Sequence, residues 1–513
     1  MKIRRALVAL TLIFIWSGSA SADDPKPEKR TLNPNRTLTY NVVPGEAESL
    51  VDVFTKGVFY GRIRINTFAY DWNDEEIFAK DNWSTAIGGS LLYKTGYFKG
   101  IGATVGLYTS QNPWHMDHDD IIFLKSGKDV LSRYDVIKDD DYYMNVLAQA
   151  YGEFKLGKSS IKFGRQIFES LLTRSNDTKM IPNTFQGLTF CSKDLDKTTI
   201  KLAWLTSQKL RDHTEFHDVL TYGNGSFTDK STTEEIKLTA WSNNDDSAMH
   251  RGLSWSNYIK AGENTDKDLY IAQVDNSSIE HVKLMANVTA VPDVLTTTTF
   301  ETHYTIPAGD FKLIPGVRYL YQFDNGGGNI GGASLTGLLA DGSITGGYKD
   351  STSLDGWLVA ARVDFKQAQG PWMMRLGYSH IGDEADIVAP WRGFPTGGFT
   401  RAMGQYNWYA NTDTWMLQST YNFGKSGLVP GLNTMFRLAY QNYDEKKRVA
   451  VDDLEIYLEP TDRIVLHLDL IQKITAMPGL EARIRMAFVN ADNTLNDWDP
   501  SYNEYRFELN YLF

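Results

Sequence analysis

Apolar and polar residues alternate along most of the chain, and the alternation is clearest at the C-terminal end. Every odd position from Tyr505 to Phe513 is aromatic or leucine, whereas most even positions are polar. A two-residue period indicates a β-strand, and a tilted strand of about 9 to 11 residues crosses a bilayer. The pattern therefore predicts a closing strand with one face toward lipid.

Similar runs recur from residue 58 to the end of the chain. With weaker runs included we expect about 18 to 20 strands, and bacterial barrels use an even number. The clearest runs are Val58 to Tyr70, Met144 to Leu156, Val317 to Phe323, Trp357 to Lys366, Trp415 to Phe423, Phe436 to Tyr443, Ile464 to Leu470 and Ala482 to Val489.

Long and short connections alternate between the first strands. This alternation is typical of a transmembrane barrel with short periplasmic turns and long outward loops. The sequence thus predicts an all-β fold, a single antiparallel transmembrane β-barrel over residues 57–513. The long connections are Asp71 to Asn82, Ser110 to Asp141, Phe168 to Phe185 and Ser207 to Thr232, and the short ones are Thr95 to Gly100, Gly157 to Ser159 and Ser192 to Lys197.

The N-terminus carries the pattern of an export signal. Three basic residues precede an apolar stretch from Ala6 to Trp16, and a small-x-small cleavage site ends at Ala22. We expect residues 1–22 to be a signal peptide and residues 23–56, which are rich in proline, to form a periplasmic segment. Together with a barrel, an export signal predicts the bacterial cell outer membrane.

Composition excludes several other classes of protein. Aromatic residues make up 13% of the chain, which suits the girdles of a barrel at both membrane interfaces. After the signal, no apolar run approaches the roughly 18 residues of a membrane helix. Cys191 is the single cysteine, so an intramolecular disulfide is impossible. The formal net charge of −11 argues against a nucleic-acid partner.

Arginines occupy the polar face of several predicted strands. In the first strand Phe59 and Ile63 share the apolar face, so neighbouring arginines point the opposite way. An arginine facing lipid at mid-bilayer would cost about 2 to 4 kcal/mol, whereas a hydrated lumen accepts it. The same parity predicts nine pore-lining residues along the solute path: Arg62, Arg64, Arg318, Arg362, Arg375, Arg437, Arg483, Arg485 and Arg506.

A row of lumen arginines suits the stepwise passage of carboxylates. The guanidinium group stays charged and presents planar paired donors. Acidic residues cluster instead in the long connections, for example at Asp74 to Glu76 and Asp139 to Asp141, so an acidic rim is expected above a basic lumen. One alternative stays open, namely that the arginines only pair with lumen acids and hydrate the wall.

The third long connection and the strand before it carry a family resemblance. Lys162-Phe163-Gly164-Arg165-Gln166, the Asn176-Asp177-x-Lys179 step and Pro182-x-x-Phe185-x-Gly187 resemble the corresponding segment of OprD-type outer-membrane porins. The signal, the first strand with Gly57, Gly61 and Arg62, and the terminal phenylalanine fit the same resemblance.

The resemblance implies 18 strands and a third loop, at about residues 168–186, that folds inward to narrow the pore. It also implies that basic residues guide small carboxylates or amino acids. Asn176, Asp177, Lys179 and Pro182 would then lie at or near the constriction. The family usually has arginine where Lys179 stands, so the substrate does not transfer.

The leading functional hypothesis is passive, electrostatically selective diffusion of small polar solutes, with no enzyme activity, metal or cofactor. The alternatives are a structural or adhesin barrel and a surface hydrolase carried by the loops. His118 beside Asp117, and His213 near His217, are the candidate groups for such chemistry, but they form no nucleophile-base pattern. An energised transporter would need a plug larger than residues 23–56.

The expected partners follow from this hypothesis. They are small hydrophilic solutes, outer-membrane lipid and lipopolysaccharide, and the barrel assembly machinery, which would recognise the strand that ends at Phe513. The sequence is compatible with a monomer or a homotrimer.

Overall fold

A closed antiparallel β-barrel of eighteen strands dominates the structure, in which each strand pairs with its chain neighbours and the last pairs with the first. The predicted fold class and the strand number of 18 are confirmed. The computed structural model describes residues 29–76, 79–124, 130–221, 226–228, 235–237, 251–334, 347–403, 406–447, 450–451, 456–457, 461–494 and 497–513.

The barrel strands are 8 to 15 residues long, enough to cross a bilayer at a tilt. In chain order they are β1 Val58–Trp72, β2 Asn82–Lys94, β3 Ile101–His115, β4 Tyr143–Leu156, β5 Ser159–Gln166, β6 Thr184–Ser192, β7 Thr198–Lys209, β8 Leu269–Asn276, β9 Val282–Val291, β10 Leu295–Tyr304, β11 Phe311–Asp324, β12 Gly356–Gln367, β13 Trp372–Ile381, β14 Asp413–Asn422, β15 Leu432–Asn442, β16 Arg463–Lys473, β17 Leu480–Ala491 and β18 Tyr502–Leu512.

Short helices and short strands lie outside the eighteen barrel strands. Among the described residues no helix is long and apolar enough to cross a membrane. The helices are α1 Leu50–Thr55, α2 Arg133–Asp139, α3 Trp255–Ala261 and α4 Gly328–Gly331, with 3-10 turns at His118–Phe123 and Arg251–Leu253. Short strands lie at Arg30–Leu32, Leu38–Tyr40, Glu46–Ala47, Tyr97–Phe98, Ser226–Thr228, Glu235–Lys237, Ile306–Ala308, Ala450–Val451 and Ile456–Tyr457.

The two faces of the strands differ as the alternation predicts. In β1, Phe59 and Ile63 are 62% and 46% exposed, whereas Arg62 and Arg64 are each 1% exposed. The apolar residues thus form the outer surface and the arginines face the interior. An outward apolar band with a polar lumen is the arrangement that a bilayer requires of a barrel.

The seam of the barrel joins β1 to the chain end. The amide of Gly61 donates to the carbonyl of Phe513 at 2.9 Å, and the amide of Phe513 returns a bond to Gly61 at 3.1 Å. A Cβ at Gly61 would lie 2.7 Å from Cζ of the Phe513 ring and would also overlap the Ser90 carbonyl oxygen. The seam therefore depends on glycine at this position.

Gly61→Leu should destabilise the closed barrel. Inserting a larger side chain into a well-packed site lowers the free energy of unfolding by about 1 to 3 kcal/mol. The compact form on an unboiled detergent gel should convert to the unfolded form at a lower temperature. Gly152→Leu is the matched control, since nothing lies within 4 Å of a Cβ there. Equal conversion temperatures in the two variants would show that the seam does not depend on Gly61.

Connections at the two ends of the barrel have different lengths. The turns 95–100, 157–158, 193–197 and 474–479 are short, and we call this side the short-turn end. At the opposite, long-loop end, residues 167–183 and 382–412 turn inward rather than out, and we call them loop 3 and loop 7. The inward course of loop 3 is the one that the resemblance implies.

Part of the N-terminal segment, which the sequence predicts to be periplasmic, enters the barrel. The signal-peptide prediction, residues 1–22, lies outside the described residues. Arg30–Leu32 pairs with Leu38–Tyr40 to form a hairpin that enters the lumen at the short-turn end. Leu38 packs there with Tyr60 of β1 and Leu512 of β18. The alternation of residues 23–56 is too weak to predict this position.

Candidate functional site: an arginine chamber at the constriction

Loop 3 is held in the lumen by alternate residues of β1. The carboxylate of Asp177 accepts hydrogen bonds from Arg62 and from Arg64, the latter at 3.0 Å. The side-chain amide of Asn66 donates to the carbonyl oxygens of Thr178 and Lys179 at 3.2 and 3.1 Å. Residues two apart on a strand share a face, so three inward side chains hold the loop at successive points.

An apolar contact continues this anchor toward the long-loop end. Met180 and Ile181 are fully buried in a cluster with Phe68 of β1. The ammonium group of Lys179 lies 3.7 Å from the centroid of the Phe68 ring, and Pro182 is buried. Asp177 and Lys179 therefore fix the position of loop 3, whereas Asn176 lines open space.

Loop 7 pairs with loop 3 across the lumen. The Arg174 amide donates to the Trp391 carbonyl at 3.0 Å, and the Gly393 amide donates to the Leu172 carbonyl at 2.9 Å. A Cβ at Gly393 would overlap the Leu172 backbone, so this approach requires glycine. The two loops together form a partition inside the barrel.

Residues 210–221, the first part of the fourth loop at the long-loop end, support the partition. Arg211 donates to the Thr178 hydroxyl at 3.0 Å, and the indole of Trp391 donates to the Val219 carbonyl at 2.9 Å. Nδ1 of His213 lies 2.8 Å from Nε2 of His217 in this loop. Burial, reinforced by nearby basic groups, lowers the pKa of each imidazole well below its usual range. Burial therefore favours the neutral form of both rings.

The partition and the opposite wall enclose a cavity of about 570 Å³, which we call the arginine chamber. Glu169 is the one carboxylate among its described lining residues. The eight arginines that line the chamber come from loops 3, 4 and 7 and from β15, β17 and β18: Arg174, Arg211, Arg392, Arg401, Arg437, Arg483, Arg485 and Arg506.

Carboxylates on the same wall of the barrel balance part of this charge. Arg483 forms two hydrogen bonds with Asp469, and Nε of Arg485 lies 3.3 Å from the same carboxylate. Arg506 pairs with Glu504. These acids fix the wall arginines in place and offset their charge.

Arg401 and Arg437 differ from those wall arginines. Nε of Arg437 donates to the Gln418 side-chain carbonyl at 2.8 Å, and Nη1 donates to the Arg401 carbonyl at 3.0 Å. Arg401 itself donates to the Ala402 carbonyl. Within the described parts of the chain, neither residue forms an ion pair with a carboxylate. Their positive charge is therefore available to a solute in the chamber.

Aromatic rings surround the Arg401 guanidinium. Its central carbon lies 4.7 Å from the Phe394 ring centroid, 5.2 Å from Tyr406 and 5.6 Å from Trp408. Such contacts orient a guanidinium without neutralising it. Burial lowers the pKa of Arg401 to about 10, so the side chain remains charged at neutral pH.

The nine arginines predicted from strand parity fall into two groups. Arg437, Arg483, Arg485 and Arg506 line the chamber. The other five contact the inward loops: Arg62 and Arg64 hold loop 3, while Arg318, Arg362 and Arg375 lie along β11 to β13 against loop 7.

Loop 7 is held by carbonyl contacts to this second group. Arg362 and Arg375 both donate to the Gly398 carbonyl, at 2.6 and 2.7 Å, and Arg318 donates to the Pro395 carbonyl at 2.5 Å. Arg375 is also paired with Asp364 and Arg318 with Glu301. The pairing alternative raised by the sequence thus describes eight of the nine predicted arginines, and among the described residues Arg437 is the one of the nine that pairs with no carboxylate.

Strand parity missed the chamber arginines that lie on loops. Arg174, Arg211, Arg392 and Arg401 follow no period, because irregular loops have none. A run of aromatic, glycine and proline residues from Trp391 to Gly398 was the one signal for an ordered inward loop. Among the described residues, no three His, Cys, Asp or Glu side chains are placed to hold a metal ion.

An eighteen-stranded barrel that is narrowed by inward loops and lined by charge is the architecture of an outer-membrane porin. The chain belongs to the OprD family of outer membrane porins, whose family model matches residues 124–513. It is therefore located in the outer membrane and passes small solutes, and members of this family are channels. No curated protein sequence matches the chain.

Solved structures share the fold at low sequence identity. Pseudomonas aeruginosa OpdK with vanillate has a TM-score of 0.63 at 13% identity, covering 90% of this chain and 99% of that chain. Acinetobacter baumannii OccAB3 has a TM-score of 0.64 at 15% identity, covering 90% and 100%. Pseudomonas aeruginosa OccK2 (OpdF) in complex with glucuronate has a TM-score of 0.60 at 14% identity, covering 90% and 99%.

Proposed function

We propose that this porin passes small carboxylates in preference to neutral and cationic solutes. The observation that carries the proposal is the arginine chamber, a cavity of about 570 Å³ whose described lining residues include eight arginines and one carboxylate. Arg401 and Arg437 contribute charge that no described carboxylate pairs. A cavity of this size is typical of sites for small molecules.

Selective passage requires the pore to attract the carboxylate, but weakly enough for the carboxylate to leave again. A guanidinium binds a carboxylate through paired hydrogen bonds, and several guanidinium groups within one cavity let the anion exchange partners as it moves. Asp469 and Glu504 reduce the field of the wall arginines, so the anion can also leave. Two similar structures contain vanillate and glucuronate, which are both carboxylates, and this supports the same substrate class.

Liposome swelling with lactate and with lactamide tests the proposal, because the two solutes have nearly the same size and differ in charge. With valinomycin present so that potassium can follow the anion, vesicles that contain the porin should swell faster in isotonic potassium lactate than in lactamide, after subtraction of the rates in protein-free vesicles. Equal rates, or faster entry of lactamide, would contradict carboxylate preference and leave only a general pore.

A further inference from the structure

The turn of the N-terminal hairpin is fixed to the barrel wall inside the lumen. We call residues 33–37 the hairpin tip. Nε of Arg36 donates to Glu508 of β18 at 3.1 Å, and Arg36 also pairs with Glu481 of β17. The carbonyl of Arg36 accepts a hydrogen bond from Arg62 at 2.9 Å. Both acids and both arginines are less than 9% exposed, so these are interior contacts.

The opposite side of the hairpin tip contacts loop 3. The hydroxyl groups of Thr37 and Ser175 lie 2.7 Å apart, and the Asn35 side-chain amide donates to the Ser175 hydroxyl at 3.1 Å. Asn35 also donates to Glu169. The tip therefore bridges the barrel wall and the constriction loop, and it holds the one carboxylate among the described lining residues of the chamber.

The hairpin tip lies between the chamber and the short-turn end. Asn33, Pro34 and Asn35 line the arginine chamber. Glu481, which anchors the tip, is the second residue of β17 and follows the short turn 474–479. A solute that leaves the chamber toward the periplasm must therefore pass beside the hairpin tip.

The tip has the internal bonds of a compact turn. The Asn33 amide donates to the Thr37 carbonyl at 3.0 Å, and the Arg36 amide donates to the Asn33 carbonyl at 2.8 Å. Pro34 restricts the backbone further, and the paired strands on either side continue the hairpin. The hairpin tip is held by hydrogen bonds within the turn and by contacts to the barrel wall and to loop 3, so it occupies a fixed volume of the lumen.

We propose that the hairpin tip is the periplasmic wall of the arginine chamber and determines the largest solute that can leave it. Asn33, Pro34 and Asn35 are then specificity-determining residues contributed by a segment that precedes the barrel. This size limit applies to neutral solutes as well, so it does not depend on the preference for carboxylates.

Shortening the tip tests the proposal. Replacing residues 33–37 by Asn-Gly retains the hairpin strands, because a two-residue turn of this sequence joins paired strands directly. Liposomes with this variant should admit neutral sugars larger than the largest one admitted by the natural protein. An unchanged size limit would overturn the proposal. Arg36→Met is the comparison: it removes the ion pairs with Glu481 and Glu508 but keeps the volume of the tip, so its size limit should rise less than that of the shortened variant. An equal rise in Arg36→Met would assign the effect to lost ion pairs and also overturn the proposal.

A labelling experiment tests the same wall in the full-length chain. Asn33→Cys in a Cys191→Ser background is reacted with a bulky thiol reagent, which should lower the size limit and slow the entry of sugars that the unlabelled variant admits. Val43→Cys, at a position that is 71% exposed and outside the hairpin, is the matched control. If labelling at residue 33 changes sugar entry no more than labelling at residue 43, the hairpin tip is not the wall of the path.

Discussion

Asp177→Ala is expected to release loop 3 and to destabilise the barrel by about 3 to 5 kcal/mol, the usual cost of removing one partner from a buried ion pair. The substitution leaves the guanidinium groups of Arg62 and Arg64 in the interior without the carboxylate that they share. Among the described residues, the one carboxylate that Arg64 would still contact is Glu508, at 3.8 Å. A loop freed from β1 should also widen the pore.

Two measurements check this expectation. The free energy of unfolding in urea should fall, and the single-channel conductance in planar bilayers should rise. Asp275→Ala is the matched control, because Asp275 is half-exposed and its ion pair with Lys201 spans 3.9 Å. If Asp177→Ala and Asp275→Ala have the same stability and conductance, Asp177 does not anchor the constriction.

Neutralising Arg401 and Arg437 together should remove most of the carboxylate preference. A hydrogen bond to a charged group stabilises a bound state by about 1.5 to 3 kcal/mol, and a free energy of 1.4 kcal/mol corresponds to a tenfold change in affinity. The ratio of lactate to lactamide swelling rates in Arg401→Gln/Arg437→Gln should therefore fall by at least about tenfold. The lactamide rate itself should change little, because the pore keeps its width.

Two controls separate charge from shape. Arg401→Lys/Arg437→Lys keeps the positive charge and should retain part of the preference, although lysine lacks the paired donors of arginine. Arg165→Gln removes an arginine that stacks on Phe216 and lies outside the chamber, so it should leave the ratio unchanged. A normal ratio in the double glutamine variant would show that these two arginines do not select the solute.

The barrel could be predicted from the sequence because its physical cause is local. Each strand must place apolar residues toward lipid at every second position, and this requirement is visible within ten residues. The same parity placed Arg437, Arg483, Arg485 and Arg506 on the lumen face, where they line the chamber.

The roles of other arginines could not be predicted, because their partners are distant in sequence. Arg62 and Arg64 meet Asp177 across 115 and 113 residues. Parity indicates the direction of a side chain but not what faces it, so a residue that anchors loop 3 and one that contacts solute look alike in the sequence. Arg401 was missed because loop 7 has no periodicity.

The position of the hairpin in the lumen also could not be predicted from the sequence. Arg36 pairs with Glu481 and Glu508, which follow it by 445 and 472 residues. A short segment with several prolines and little alternation resembles a linker. Only closure of the barrel brings the acids of the last two strands beside the N-terminus.

The claim that the pore prefers carboxylates is tested most directly by the zero-current potential across a planar bilayer under a gradient of potassium lactate. The chain as a whole has a formal net charge of −11, so its average charge favours cations. The arginine chamber predicts the opposite result, a potential whose sign shows that lactate crosses more readily than potassium. A potential with the sign of potassium selectivity would contradict the account.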